Sequence, residues 1–369
     1  MSSATNLIVP SISSPLALRV EEAPIPEAQR GTAVVEILAS VIGPGYGFLL
    51  STPLPFLSFP TPSIWGNNAI GRVVSTGPDA AKLEKGQLVF VDEFIEARDD
   101  PNVAIIAGLM DGLSAQSKKL ASGAWRNGTW TTHAVVALEN ATPLDEGLLL
   151  GKLGYDVSEL TYLTRFTVAY GGMSAMGVKP GETVIVGPAT GQFSGAAVEV
   201  ASALGARVIA LGRNTEVLSR LKETFARVET VILSGDVEED AKAIQAFGPA
   251  DAFIDISPTK ASNAKLTHIT SALKSLRRHG RVSLMGGIAG DISIPYQLVM
   301  MNNIEIKGRW MYTRDEVREV VKLVETGLLK LGKSAGHTVH GKFKLDEWQA
   351  ALDTAANHDT WGSVVTFTP

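Results

Sequence analysis

The segment from Val178 to Asn214 constrains the fold most, because two strand-like runs flank a helix-like run and a glycine-containing turn. Thr183 to Val186 is a short β-branched run, and Arg207 to Leu211 is a second apolar run of strand length. Between them, Gly195 to Leu204 is small, apolar and free of proline. The pattern predicts a parallel strand–helix–strand unit whose turn lies at the carboxyl end of the sheet.

The turn before this helix is a candidate anion site, since free amide N–H groups and the helix dipole favour negative charge there. The ligand we expect is the pyrophosphate of a dinucleotide. The residues depart from the G-x-G-x-x-G pattern, because Gly191 is the one glycine that fits it between Ala189 and Ser194. Ala189 and Ser194 are small, and Ser194 can donate to a phosphate or cap the helix. A parallel unit that binds no nucleotide is the alternative.

The end of the second strand indicates which coenzyme is bound. An acidic residue about twenty positions after the glycine turn is typical of NAD binding, because it bonds the ribose hydroxyls. This chain has no carboxylate there and offers Arg213 and Asn214 instead. A guanidinium suits a 2′-phosphate. The sequence therefore predicts NADP(H) rather than NAD(H), with a solvated surface arginine as the alternative reading of Arg213.

Length and composition exclude several classes of function. A chain of 369 residues suits two domains, and a net charge of −5 without a Lys/Arg cluster argues against nucleic-acid binding. Prolines interrupt the apolar segment Phe48–Trp65, and the N-terminus has no signal-peptide pattern, so we expect a cytoplasmic protein without a membrane partner.

The chain has no cysteine, and the close pair His337 and His340 lacks a third ligand. We therefore expect no metal site.

The two halves of the chain show different patterns. Short strand-like runs between Gly- and Pro-rich turns predict a compact β domain, with strands at Thr32–Ala39, Gly71–Ser75, Gln87–Asp92 and Thr131–Leu138. From Val178 onward, strands and helices alternate, which predicts a doubly wound parallel sheet. Helices are expected at Ala261–Leu276 and at Arg314–Thr326, the latter returning to the β domain.

Ligands of a doubly wound sheet bind at the carboxyl ends of its strands. The residues that we expect to contact the coenzyme there are Ala189, Thr190, Gly191, Gln192, Phe193, Ser194, Gly212, Arg213, Asn214, Ser257, Gly286, Gly287 and Ile288.

Six stretches together resemble the medium-chain dehydrogenase/reductase superfamily over nearly the full chain: Val34–Ile42, Trp65–Gly86, Gly128–Val136, Val178–Leu211, Gly280–Gly287 and Phe343–Ala351. The resemblance implies a GroES-like β domain over residues 1–160 and 312–369, which carries the substrate site. It also implies a Rossmann domain over residues 161–311 and a homodimer formed through the Rossmann sheets. Such a resemblance fixes fold better than substrate.

The chain departs from the zinc-dependent members of that superfamily at each metal ligand. Those members place a cysteine where this chain has Gly43, and a Gly-His-Glu where it has Gly66-Asn67-Asn68. A further cysteine ligand falls near Thr164. The resemblance thus implies a zinc-independent member of the quinone reductase and enoyl reductase kind.

The missing metal ligands also indicate the class of substrate. A nicotinamide supplies hydride, and a zinc ion would polarise an unactivated carbonyl. Without zinc, a conjugated enone or quinone is the easier acceptor, because it delocalises charge to an oxygen that one hydrogen-bond donor can hold. We therefore expect NADPH-dependent reduction of a conjugated C=C bond or a quinone. A zinc-free carbonyl reductase or alcohol dehydrogenase and a non-catalytic NADP(H)-binding sensor remain as alternatives.

The candidate catalytic residues are Tyr46, which follows a strand of the first domain, and Asn67, which stands where the superfamily has a metal ligand. Each has a plain structural alternative, as a turn tyrosine or a turn-shaping amide. The apolar stretch nearby contains the aromatic residues Phe48, Phe56, Phe59 and Trp65. It either lines a pocket for a bulky apolar substrate or forms a buried loop.

Overall fold

The computed structural model describes residues 3–54, 58–259 and 266–369. The chain divides into two compact units. The first contains Met1–Thr164, His337–Asp359 and Ser363–Pro369, and the second contains Arg165–Gly336 and Thr360–Gly362. Within the described ranges, no helix combines the length and the apolar character needed to cross a bilayer.

The first unit is built mainly from antiparallel strands. They are β1 (Ser3–Val9), β2 (Arg19–Pro24), β3 (Thr32–Val41), β4 (Ser63–Ile64), β5 (Asn68–Thr76), β6 (Leu88–Asp92), β7 (Phe94–Ala97), β8 (Asp100–Ile106), β9 (His133–Ala137), β10 (Ala141–Pro143), β17 (Thr338–Phe343) and β18 (Ser363–Phe367). One sheet has the order β10-β6-β5-β3-β18-β17 with β9 also paired to β3, a second has the order β2-β1-β4, and β7 pairs with β8.

Short helices complete this unit: α1 (Tyr46–Ser51), α2 (Ala115–Ser122), α3 (Val157–Leu160) and α11 (Trp348–Asn357), with 3-10 turns at Leu138–Asn140 and Leu345–Glu347 and a π-helical turn at Gly147–Lys152. Apolar cores hold it together, of which two bear on the candidate site. One contains Val35, Val73 and Val91 from β3, β5 and β6. The other surrounds the buried indoles of Trp65 and Trp130. Burial of these side chains is the main source of stability for such a unit.

The second unit contains a parallel six-stranded sheet. Its strands are β11 (Thr183–Gly187), β12 (Arg207–Gly212), β13 (Val228–Ile232), β14 (Ala250–Asp255), β15 (Leu276–Leu284) and β16 (Glu305–Gly308). Their order is β13-β12-β11-β14-β15-β16, and every pairing is parallel. Numbered from β11, this is the 3-2-1-4-5-6 order of the Rossmann fold, which reverses between β11 and β14. The predicted α/β fold, with a β domain and a doubly wound parallel sheet, is confirmed.

The helices of the second unit are α4 (Leu163–Met176), which starts at the end of the first unit, α5 (Gln192–Ala203), α6 (Thr215–Thr224), α7 (Val237–Gln245), α8 (Thr267–Lys274), α9 (Tyr296–Met301) and α10 (Arg314–Glu325), with a 3-10 turn at Lys333–Ala335. The sequence predicted that the chain returns to the β domain at residue 312, whereas α10 belongs to the second unit and the return follows Gly336. A close contact explains this: a Cβ at Gly171 of α4 would lie 2.4 Å from the Met311 carbonyl oxygen, so the chain entering α10 packs on α4.

One predicted helix is shorter than expected. Of the helix predicted over Ala261–Leu276, α8 occupies Thr267–Lys274, and its expected first turn at residues 261–265 lies outside the described residues. Strand β15 already begins at Leu276, which pairs with Ala250 before the register shifts. Leu276 is therefore the first residue of the strand and not the last residue of the predicted helix.

Candidate functional site

The turn after β11 packs against the end of β12. The Ala189 amide donates to the Leu211 carbonyl at 2.6 Å, and a Cβ at Gly212 would lie 2.7 Å from Thr190 Cγ2. A side chain at Gly212 would therefore push the turn away from the strand. Because Arg213 follows directly and is exposed, its guanidinium is attached next to the turn, as a contact to a coenzyme phosphate would require.

Two residues at these strand ends cap helices. Ser194 Oγ accepts a hydrogen bond from the Gly191 amide at 3.1 Å, so its hydroxyl takes the capping role, one of the two that the sequence allowed. Asn214 Oδ1 accepts from the Val217 amide at 3.1 Å and caps α6. The amide nitrogen of Asn214 is therefore the atom that can donate to a ligand.

Three further residues predicted to contact the coenzyme have different surroundings. Gln192 is buried, and its Oε1 accepts from Nη2 of the buried Arg165 at 2.9 Å, a bond within the second unit. Phe193 is 37% exposed at the start of α5, although it is a large apolar residue. Ile288 is partly buried against the core of the sheet. Gln192 is thus held in place by a buried arginine, whereas Phe193 offers an apolar surface beside the turn.

On the other side of the strand-order reversal, the loops after β14 and β15 meet. Ser257 Oγ donates to Asp255 Oδ1 at 2.6 Å, and His268 Nε2 lies 3.0 Å from the same oxygen. The Gly287 amide donates to the Ser257 carbonyl at 2.9 Å, and a Cβ at Gly286 would lie 2.6 Å from Asp255 Oδ2. The structure thus brings Ser257, Gly286 and Gly287 together. Asp255 and His268 were missed, although a carboxylate ending an apolar strand run was a usable signal.

A second feature missed by the sequence analysis is the segment Thr360–Gly362, which belongs to the second unit. Thr360 forms a β-bridge with Gly191, and the Trp361 amide donates to the Thr190 carbonyl at 3.0 Å. The indole N–H of Trp361 donates to Glu199 at 2.8 Å, across 162 positions of sequence. This segment therefore fixes the turn that we expect to hold the coenzyme.

The two candidate catalytic residues meet in the first unit. Tyr46 Oη donates to Asn67 Oδ1 at 2.5 Å, and Asn67 is buried whereas Tyr46 is half-buried. The Tyr46 ring packs edge-on against Trp65 with 5.0 Å between ring centroids, and lies 6.1 Å from Trp130. The indoles thus hold the ring, and the amide holds the hydroxyl.

The residues at the metal-ligand positions of the superfamily do not suit a zinc ion. A Cβ at Gly43 would lie 2.5 Å from Tyr46 Cε1, so the tyrosine ring fills the space that a cysteine side chain would need. Asn67 and Asn68 offer neutral amides, and Thr164 a hydroxyl. Throughout residues 3–54, 58–259 and 266–369, no cluster of three or more His, Asp or Glu residues is arranged to hold a metal.

The apolar stretch near Tyr46 divides between core and surface. Phe59 and Trp65 are buried in the core around Trp130, whereas Phe48 is 56% exposed. Phe56 lies outside the described residues. Burial of Phe59 and Trp65 favours the buried-loop alternative for these two residues.

The chain is similar in sequence to several known proteins. Residues 194–326 match the sequence family described as zinc-binding dehydrogenase, and these residues all lie in the second unit. The chain is 24% identical over 327 residues to acryloyl-coenzyme A reductase of Sulfurisphaera tokodaii, which covers 85% of this chain and 86% of that enzyme. It is 27% identical over 214 residues to L-arabinitol 4-dehydrogenase of Hypocrea jecorina, covering 56% of this chain and 53% of that enzyme.

Together, these matches indicate an oxidoreductase that is similar to dehydrogenases and reductases, with the match to the zinc-binding dehydrogenase family confined to residues 194–326.

Solved structures of several dehydrogenases share the fold of the chain. A short chain alcohol dehydrogenase of E. coli CFT073, complexed with NADH, superposes with a TM-score of 0.76 at 16% identity and full coverage of both chains. A protein of Sinorhizobium meliloti 1021 described as a zinc-binding dehydrogenase, bound to NADP, superposes with a TM-score of 0.73 at 19% identity and the same coverage. At these identities, the likeness concerns the fold alone.

Proposed function

We propose that this oxidoreductase belongs to the medium-chain dehydrogenase/reductase superfamily and is an NADPH-dependent, zinc-independent reductase of conjugated C=C bonds or quinones. The observation that carries this proposal is the Tyr46–Asn67 pair, bonded at 2.5 Å. The pair brings a hydroxyl to a position where the zinc-dependent members hold a metal, and the Tyr46 ring excludes a side chain at Gly43. One hydroxyl donor suffices for an acceptor that already delocalises charge.

Bound NADPH would supply the hydride. The residues of this chain then stabilise the negative charge that develops on the substrate oxygen. Asn67 holds the Tyr46 hydroxyl in place until the substrate binds. The hydroxyl then exchanges the amide oxygen for the substrate oxygen as its acceptor. A proton from water completes the addition of one hydride and one proton across the conjugated system. Tyr46 acts as a hydrogen-bond donor throughout and keeps its own proton.

The named relatives support more than one reaction. Acryloyl-coenzyme A reductase has a conjugated enoyl group in its name, which favours the proposed chemistry, whereas L-arabinitol 4-dehydrogenase favours the alternative of alcohol oxidation or carbonyl reduction. Parallel assays of NADPH oxidation with an enone, a quinone and a simple aldehyde separate the two. We expect turnover with the enone or the quinone. Faster turnover with the aldehyde would favour a zinc-free carbonyl reductase, and coenzyme binding without any oxidation would indicate a sensor.

The choice of NADP(H) depends on the end of β12. The contact of Thr190 with Gly212 sets the turn against this strand end, and the exposed Arg213 is the next residue. A guanidinium there can bond a 2′-phosphate with two parallel N–H groups. Both coenzymes occur among the similar structures, so this side chain supports the assignment more than any relative does.

Replacing Arg213 by alanine is expected to weaken NADPH binding at least about tenfold, because a charge-assisted hydrogen bond contributes roughly 1.5–3 kcal/mol. NADH lacks the phosphate, so its dissociation constant should change by less than about twofold. Isothermal titration with both coenzymes measures the two constants. Arg227→Ala removes another exposed arginine of the same unit and serves as the control. Equal losses for both coenzymes would contradict the NADP(H) assignment.

The open edge of the parallel sheet supports a homodimer. Among the residues that the structure describes, β16 is the last strand on its side of the sheet, and helix α9, which precedes it in the chain, exposes Tyr296 by 78% and Met301 by 61%. An unpaired strand edge beside large apolar side chains suits a second copy of the same surface. We therefore propose that two chains associate through β16 and α9.

Sedimentation velocity tests this arrangement. We expect twice the chain mass of 39.1 kDa for the wild type and a shift towards monomer when Tyr296 and Met301 are both changed to aspartate. Leu328→Asp introduces the same charge at another exposed apolar position of the second unit and should leave the dimer intact. A monomeric wild type, or a double variant that remains dimeric, would rule out this interface.

A further inference from the structure

A buried acid, Glu93, directly follows the strand that pairs with the strand after Asn67. Asp92, the last residue of β6, pairs with Asn68, the first residue of β5, so Glu93 and Asn67 are the next opposed positions of this antiparallel pair. The chain at Ala107 and Gly108 bonds the backbone at or next to both positions. The Ala107 amide donates to the Glu93 carbonyl at 2.9 Å, and the Gly66 amide donates to the carbonyl of the following residue, Gly108, at 3.0 Å.

The side chains alternate between the two faces of these strands. Asn68 and Asp92 share one face, and continuing the alternation by one residue beyond each strand places Asn67 and Glu93 on the other. Asp92 is engaged on its own side, because its Oδ1 accepts from the Phe94 amide at 2.9 Å. Glu93 is thus an acidic residue on the same face of this strand pair as Asn67.

The carboxyl group of Glu93 is buried, and one of its two oxygens lacks a hydrogen-bond partner. The residue is 3% exposed, and its Oε1 has no hydrogen-bond partner. Burial, and after it the negative charge of Asp92, raises the pKa of Glu93 well above its usual range. The raised pKa favours the protonated form of this carboxyl, which has one O–H to donate. A buried polar group of this kind destabilises the fold, so its presence calls for an explanation.

We propose that Glu93 is a second hydrogen-bond donor of the active site, which together with Tyr46 holds the carbonyl oxygen of a conjugated substrate. This inference rests on the proposed function and narrows its substrates to enals, enones and enoyl esters or thioesters. When hydride adds to the β-carbon, the π electrons shift towards the carbonyl and the oxygen becomes an enolate. Glu93 and Tyr46 donate to this enolate oxygen, and a water proton adds at the α-carbon.

A tyrosine and a neutral carboxylic acid can stabilise an enolate efficiently, because both donors keep their protons and neither brings a charge that must be desolvated. In this arrangement the two donors perform the polarising role that a zinc ion has in other dehydrogenases. The cost of keeping Glu93 buried is then offset by its effect on the transition state rather than on the stability of the fold.

Glu93→Leu and Glu93→Gln test the proposal with NADPH and cinnamaldehyde. Leucine removes the donor, so kcat should fall about 100-fold, the usual loss for one such donor, while the dissociation constant of NADPH stays the same. Glutamine keeps an N–H donor, so kcat should stay within about tenfold of the wild type. Glu96→Gln changes an exposed glutamate on β7 and should leave kcat unchanged.

Thermal unfolding separates a catalytic from a structural role. Because leucine replaces a buried acid with one oxygen that lacks a partner, Glu93→Leu should have a Tm equal to or above that of the wild type although its kcat is lower. A kcat that is unchanged in Glu93→Leu, or a Tm that falls together with kcat in both variants, would overturn the role of Glu93.

Binding of 4-nitrophenol provides a readout that needs no turnover, since its phenolate resembles an enolate oxygen. We expect the wild type to bind it and Glu93→Leu to bind it about tenfold more weakly, as the loss of one hydrogen bond predicts. If this difference appears while no conjugated carbonyl is reduced, Glu93 is an oxyanion donor and the proposed reaction is wrong. If the wild type reduces cinnamaldehyde, and Glu93→Leu changes neither kcat nor the binding of 4-nitrophenol, the proposed reaction stands and this inference is wrong.

Discussion

Tyr46→Phe is expected to lower kcat for reduction of a conjugated carbonyl by about 100- to 1,000-fold, the range for loss of a donor to a developing oxyanion. Phenylalanine keeps the ring that packs on Trp65 and Trp130, so the fold should persist. The hydroxyl that bonds Asn67 is the group removed. The loss should therefore appear in kcat, with little change in NADPH affinity or Tm.

Stopped-flow measurement of NADPH oxidation at saturating enone gives this comparison directly. Tyr155→Phe removes the hydroxyl of another half-buried tyrosine of the first unit and serves as the control. Asn67→Ala should have an intermediate effect, because it frees the Tyr46 hydroxyl from its fixed orientation without removing it. If Tyr46→Phe retains full activity, the hydroxyl is a structural group and the assignment of the active site is wrong.

Trp361→Ala is expected to destabilise the protein by about 3–5 kcal/mol, the usual cost of removing a buried tryptophan side chain. The indole is 1% exposed and donates to Glu199 at 2.8 Å. The Arg220 guanidinium lies 5.1 Å from the ring centroid, and a Cβ at Gly195 would come within 2.5 Å of the side chain. The substitution would therefore leave a cavity directly against the helix that follows the glycine turn.

The same substitution should also weaken the coenzyme site, because the backbone of residues 360–361 bonds the turn at Thr190 and Gly191. Scanning calorimetry with and without NADPH measures both effects. Trp361→Phe keeps an aromatic ring and should recover part of the stability. Trp310→Ala, at a tryptophan that is 47% exposed in the same unit, is the matched control. A Tm of Trp361→Ala no lower than that of the control would show that this segment does not support the turn.

Local patterns explain which parts of the fold were predictable. The β-branched run from Thr183 became β11 and the run from Arg207 became β12, because a short apolar run bounded by glycines is typical of a buried strand. Helix α5 starts at Gln192, three residues before the predicted start at Gly195. The Ser194 hydroxyl bonds the Gly191 amide and thereby extends the helix towards the turn, a capping choice that apolar periodicity does not reveal.

Contacts between distant parts of the sequence explain what was missed. Trp361 reaches Glu199 across 162 positions, and no local pattern connects them. The second unit continues to Gly336 because the chain at Met311 packs on Gly171, a fit between two backbones. Tyr46 and Asn67 could be named as candidates from the sequence, but their hydrogen bond depends on the folded β unit.

The central claim is hydride transfer from NADPH to a conjugated acceptor without a metal. The most direct test is NADPH oxidation in the presence of a conjugated enone, before and after dialysis against EDTA, with the metal content of the same samples measured by mass spectrometry. The proposed function predicts saturable oxidation that chelation leaves unchanged, with no stoichiometric zinc. Absence of NADPH binding, or activity that disappears with EDTA and returns with zinc, would contradict it.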